Sequence, residues 1–177
     1  MIFEQTNIGG LVALHLQRDN DERGSFARLF SSNEFAAHGL PRAFVQQSLS
    51  VTRRAGTIRG MHFQRPPHAE VKFVRCVRGA IYDVVADLRP ESPSHLRWQG
   101  FRLEAQGDLA LVIPAGCAHG FQSLQDDSEV LYQMDVPYDP AAAAGVRFDD
   151  AALGISWPLP VSVIADRDLA WPTLASS

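Results

Sequence analysis

An all-β sandwich or barrel is predicted for this sequence by three observations. Short strand-like runs recur at regular spacing, Gly, Pro and Asp punctuate them, and only one segment carries a clear helical signal. That segment is SSNEFAAHGL, Ser31 to Leu40: Ser31 suits a helix cap, Glu34 follows three residues on as in a capping box, and Gly39 suits the exit. His62-Phe63-Gln64 then reads as part of a strand. VKFVRCV from Val71 and AIYDVVADL from Ala80 flank a tight turn at Arg78-Gly79 and predict a strand pair. DLALVIP, Asp108 to Pro114, predicts a strand that stops at its proline. AHGFQSL and SEVLYQMDV predict two more, around the turn-rich QDDS at Gln125 to Ser128. Beyond Tyr138 the sequence turns irregular, with tryptophan-proline pairs at Trp157 and Trp171, and is expected to wrap the outside. The alanine run from Ala141 to Ala144 is too short to be a low-complexity linker.

The 177 residues, 46% hydrophobic and 20% charged, suit one domain spanning 1–177 with a substantial core. A net charge of −4 without a block of like charge argues against a nucleic-acid partner. No stretch approaches the roughly 18 apolar residues of a membrane span, and the N-terminus lacks a signal-like charged start, so a cytoplasmic protein is expected. Cys76 and Cys117 form no CxxC motif and sit among small or apolar neighbours, which predicts core residues. All but one of the 16 basic residues are arginine; the exception is Lys72.

Lys72 alternates with Val74 and Cys76. If that face points inward, a buried ammonium needs a partner or a task; if it points outward, the lysine is merely solvated. Tyr132 alternates likewise with Val130 and Met134, and spacing alone reads it as a half-buried core tyrosine with its hydroxyl hydrogen-bonded or as a functional residue. His119 follows IPAGCAHGF, a turn that resembles the second conserved box of cupins, whose histidine points into a barrel. Many cupins place two histidines one residue apart on an earlier strand to bind metal, because alternate positions share a face. Here that strand has His62 and then Gln64, a poor ligand. His68 and Glu70, which might repair the set, follow Pro66-Pro67 in an expected loop, so no metal is expected. Without one, a sheltered histidine is a natural general base, provided a carboxylate orients it. Asp83, Asp87, Asp149, Asp150, Asp166 and Asp168 are all candidates, and composition does not choose between them.

One family carries these motifs together. RGSF (Arg23 to Phe26), GTIRGMHFQ (Gly56 to Gln64), PPHAEVKFVRCVRGAIYDVVADLR (Pro66 to Arg89), SPS (Ser92 to Ser94), IPAGCAHGF, Tyr132, Tyr138, GVRFDD and GISWP resemble, in order, dTDP-4-dehydrorhamnose 3,5-epimerase. The resemblance implies a cupin-type jelly-roll barrel with a short N-terminal helix and an irregular C-terminal segment, a homodimer, and catalysis without cofactor or metal. It implies His62 as base, Asp168 as its carboxylate partner in Ile164 to Asp168, Tyr132 as acid, and Lys72 beside the keto oxygen of a nucleotide-diphosphate sugar. Arg23, Phe26, Gln46, Arg59, His119 and Tyr138 match positions that hold nucleotide, diphosphate or sugar, and Arg167 lies in the same late segment as Asp168. The chemistry agrees: a C4 ketone acidifies C3 and C5, and inversion needs base and acid on opposite walls.

Three positions depart from the family pattern. Arg28 stands where a glutamate commonly meets thymine, which suggests a CDP-linked sugar as the alternative substrate. Ser48 replaces an asparagine, and Ala143 a glutamate, leaving C3, C5 or both as sites of inversion. A 3,4-ketoisomerase on the same scaffold would not need Tyr132, a metal-dependent cupin would need a better ligand than Gln64, and a non-catalytic sugar binder would exchange no solvent proton.

Overall fold

The computed structural model describes residues 1–174. In chain order its elements are β1 (Ile2–Gln5), β2 (Val12–His15), β3 (Arg18–Asp21), β4 (Gly24–Ala27), helix α1 (Ser32–Ala37), β5 (Gln46–Thr52), β6 (Ile58–Gln64), β7 (Lys72–Arg78) and β8 (Ala80–Asp87). They continue with β9 (Trp98–Glu104), β10 (Leu109–Ile113), β11 (Cys117–Ser123), β12 (Ser128–Met134), β13 (Ala143–Gly145) and the single turn α2 (Asp166–Leu169). Two antiparallel sheets face each other as a jelly-roll barrel. One runs β1-β2-β10-β7-β12-β5, the other β13-β6-β11-β8-β9, and β3-β4 forms a separate hairpin.

Alternation along each strand sorts its side chains between two faces. Val74, Cys76, Leu111 and Val130 of the larger sheet meet Ile81, Val85, Leu103 and Phe121 of the smaller one inside the barrel. The outer face of the larger sheet is partly covered by α1, whose Phe35 packs against Phe73 and Val112. The outer face of the smaller sheet, Met61, Val84, Ala86 and Ala118, is covered by Val146, Leu153 and Trp157 of the C-terminal segment. The strands expected from the sequence correspond to β6, β7, β8, β10, β11 and β12. No helix among the described residues is long and apolar enough to cross a membrane.

Helix α1 begins as its sequence predicts, with the Ser31 hydroxyl accepting from the Glu34 N–H at 3.5 Å. A cap contributes about 1 kcal/mol, whereas burying a phenylalanine contributes about 2–3 kcal/mol. Phe35 is fully buried, so packing rather than propensity holds this short helix. The C-terminal segment differs from its expectation in two places: part of the alanine run pairs with β6 as β13, and residues 166–169 form the turn α2. Backbone pairing, which demands no particular side chain, explains why the small β13 residues gave no signal.

Candidate active site

The site begins with a bulge. Along β6 and β11, His62 pairs with His119 and Arg59 with Phe121, so three steps on β6 answer two on β11. The extra residue lies in Gly60-Met61, where the strands approach so closely that a Cβ on Gly60 would sit 2.5 Å from the Gly120 Cα. Gly60 also has φ +144°, a conformation that glycine adopts freely. The bulge turns Arg59 and His62, an odd number of residues apart, toward the same cavity. That cavity, of about 430 Å³, opens between the sheets.

On its wall, His62 Nε2 meets Asp168 Oδ1 at 2.7 Å, and the Gly60 N–H donates to the other carboxylate oxygen at 3.2 Å. Burial pushes the Asp168 carboxyl up, but hydrogen bonding and charge from His62, the Gly60 amide and Arg167 outweigh it and hold the group below its ordinary value. An ionised Asp168 favours the tautomer with the proton on Nε2, which leaves Nδ1 the ring's acceptor nitrogen. Trp171 stands edge-on to the imidazole with ring centroids 6.2 Å apart.

A second dyad lies beside the first. His119 Nε2 contacts Asp83 Oδ2 at 2.8 Å, both residues being buried. Burial raises the Asp83 carboxyl, with His119 and Lys72 pulling the other way. The remaining carboxylates expected as possible partners are otherwise engaged: Asp87 with Arg89, Ser92 and Ser94, Asp149 with Arg147, and Asp150 with backbone amides, while Asp166 opens α2.

Lys72 faces inward, which decides between its two readings. Its Nζ donates to the His62 carbonyl at 3.0 Å and pairs with Glu70 at 3.1 Å. Tyr132 stands on β12, next to β7 in the same sheet as Lys72, pairs in register with Ser48 and Val74, and lies edge-on to His119 of the facing sheet at 5.9 Å. Burial, and then the Asp83 charge, push its phenol well up, so it stays protonated. Ser48, Arg59, Tyr138 and Arg167 also line the cavity, as does Ala143. Gln46 stands behind them, accepting the Tyr138 N–H at 2.9 Å.

Arg23, Phe26 and Arg28 do not join this group within one chain. Arg23 is exposed on the β3-β4 hairpin and pairs with Asp21, Phe26 is 68% exposed, and Arg28 lies 3.5 Å from Glu34. Gln64 spends its amide on the His68 carbonyl at 2.9 Å and the Asp139 N–H at 2.6 Å. Among the described residues no group of three His, Cys, Asp or Glu side chains converges as a metal cage. Cys76 and Cys117 are buried, and burial pushes their thiols up to about 11 and about 12, as expected of core residues.

Two cavity residues escaped the sequence reading. Glu70 lies in the loop expected after Pro66-Pro67, but it precedes Lys72 by two and turns to the same side. Trp171, expected on the outside, instead lines the cavity. It follows Asp168 by three residues, just past the end of α2 at Leu169, and no local pattern signals which way its ring turns.

Known proteins resemble this chain over nearly all its length. The model of the family described as dTDP-4-dehydrorhamnose 3,5-epimerase matches residues 5–176. A dTDP-4-dehydrorhamnose 3,5-epimerase of Sinorhizobium fredii is 35% identical over 175 residues, covering 98% of this chain and 90% of its own. A dTDP-4-dehydrorhamnose 3-epimerase of Streptomyces niveus is 38% identical over 169 residues, covering 95% of this chain and 81% of its own. The crystal structure of dTDP-4-dehydrorhamnose 3,5-epimerase from Bacillus anthracis, with TDP and PPi bound, superposes with a TM-score of 0.94 at 36% identity, covering 98% of this chain and 99% of that one.

Proposed function

The chain belongs to the dTDP-4-dehydrorhamnose 3,5-epimerase family, and from that premise we propose that His62, Asp168, Lys72 and Tyr132 carry its proton transfers. The protein is an isomerase of a dTDP-linked 4-keto-6-deoxyhexose. The observation that supports the residue roles best is the opposition of walls. His62 stands on the smaller sheet, held by Asp168 of α2, and Tyr132 stands on the larger sheet across the cavity.

His62 removes the proton from C3 or C5, and Asp168 steadies the imidazolium that forms. The electron pair moves onto the C4 oxygen, where the Lys72 ammonium, supported by the His119–Asp83 dyad, stabilises the enolate. Tyr132 returns a proton from the opposite face, completing inversion. Its partly buried, neutral phenol suits the part of acid. Arg59 and Arg167 line the cavity and offer planar donor forks to a diphosphate.

The homodimer and the remaining substrate contacts belong to the same proposal. Strand β5 is an end strand of its sheet, paired on one side with β12 and, among the described residues, with no strand on the other, and its Leu49 is 55% and Val51 49% exposed. A second copy covering that edge would also give Arg23 and Phe26, far from their own cavity, a site to reach. A cytoplasmic location fits two buried free thiols, which a reducing compartment preserves.

The test is solvent exchange in D2O, followed by NMR, on dTDP- and CDP-linked 4-keto-6-deoxyglucose side by side. Deuterium should enter the dTDP-sugar at C3, C5 or both, faster than the CDP-sugar; a preference for CDP would return weight to Arg28. Exchange at C3 alone would match the name of the Streptomyces niveus relative. His62→Ala should abolish exchange, and Tyr132→Phe should spare part of it while impairing net inversion. No exchange by the wild type on either nucleotide would sink the functional reading.

A further inference from the structure

We propose that Glu70 is a positioning residue: its carboxylate fixes the direction of the Lys72 ammonium toward the substrate's keto oxygen. This rests on the reading that Lys72 stands beside that oxygen. Glu70 lies in the loop between β6 and β7, and its side chain is only 5% exposed. One carboxylate oxygen pairs with Lys72 Nζ at 3.1 Å, and the other is buried without a hydrogen-bond partner. A buried charge with one partner and an empty oxygen is expensive. Asp135 adds to that expense: burial raises its carboxyl, and the nearby Glu70 charge raises it further.

A purely structural residue here would not need the charge. Glutamine fills the same volume and still presents an oxygen to Lys72. The carboxylate therefore acts on what it touches. An ammonium has three N–H donors in tetrahedral array. In Lys72 one goes to the His62 carbonyl, and the ion pair with Glu70 holds the ammonium from a second side, which limits the bearing of its remaining donors at the wall of the cavity. A donor already aimed needs no reorganisation when charge develops on the enolate. The anchor to the His62 carbonyl also ties the aim of the electrophile to the strand that carries the base.

The experiment is a double-mutant cycle on solvent exchange into dTDP-4-keto-6-deoxyglucose, using wild type, Glu70→Gln, Lys72→Met and the double variant, with thermal unfolding to confirm that each is folded. Glu70→Gln should lower kcat about 10- to 100-fold with KM changed less than about threefold, since misdirection rather than binding is lost. In the Lys72→Met background, Glu70→Gln should cause no further loss, or a gain, because an unpaired carboxylate beside an enolate repels it. The same proportional loss in both backgrounds would indicate a structural role and overturn the proposal. Wild-type exchange by Glu70→Gln beside an impaired Lys72→Met would overturn it alone. Wild-type exchange by Lys72→Met would remove Lys72 from the reaction, and this inference with it. Run with Glu70→Asp, which keeps the charge but shortens the reach, the cycle should give a smaller loss with the same coupling; additivity there also overturns the proposal.

Discussion

At the scale of single residues, the His62–Asp168 contact separates orientation from mere proximity. Asp168→Asn preserves shape and leaves an amide that can face Nε2 either way, so the imidazole loses its fixed tautomer and the imidazolium its counter-charge. Solvent exchange should fall about 10²- to 10⁴-fold while the fold persists. The same substitution should show in acid. Despite burial, His62 and the Gly60 amide hold the Asp168 carboxyl below its ordinary value. A depressed carboxylate contributes stability above its unfolded pKa of roughly 3.9, and that contribution is lost as pH falls through the native value. Between about pH 5 and 2 the wild type should therefore lose more thermal stability than Asp168→Asn. Parallel pH profiles for the two proteins would count against the charged pair.

Among the elements, β13 and the C-terminal turn act together behind the base. A Cβ on Gly145 would lie 2.6 Å from the Trp171 indole and 2.7 Å from the Met61 carbonyl oxygen, and backbone cannot yield as a flexible side chain does. Gly145→Ala should cost about 1–3 kcal/mol in denaturant unfolding. Through the displaced Trp171 it should also lower exchange more than tenfold, on the scale that misplacement near a reacting centre produces. Unchanged exchange would show that the indole does not brace His62. Such couplings mark the boundary of what the sequence made legible. Alternation identified β7 and β12, because the hydrophobic period is local, and grouped Lys72 with Val74 and Cys76 and Tyr132 with Val130 and Met134 without telling which face points inward. The bulge at Gly60 breaks that period: simple alternation would have sent Arg59 and His62 to opposite sides. Pairing of His62 with Asp168 spans 106 residues, so six aspartates were equivalent until a family motif pointed to one. Trp171 looked like wrapping because tryptophan-proline pairs carry no sign of which way the ring turns.

For the whole molecule, the uncovered edge of the larger sheet predicts assembly. Leu49→Arg places a charge on exposed β5, where a second copy would have to desolvate it. Sedimentation should show a dimer for the wild type and a shift toward monomer for the variant, with exchange falling alongside as the hairpins carrying Arg23 and Phe26 lose the neighbouring cavity. A wild-type monomer, or a variant that remains dimeric, would reject that interface. The position of Asp168 has a further consequence for the order in which the protein becomes competent. A ribosome delivers the main barrel strands by Met134 and β13 by Gly145, yet Thr57 bridges Val163 and His62 meets Asp168 only after the last stretch has emerged. A chain stopped after Pro160 should keep the strand signature in circular dichroism and show no exchange. Shape would thus precede activity during synthesis, and a prematurely ended copy could bring its surfaces to a dimer without bringing a working base.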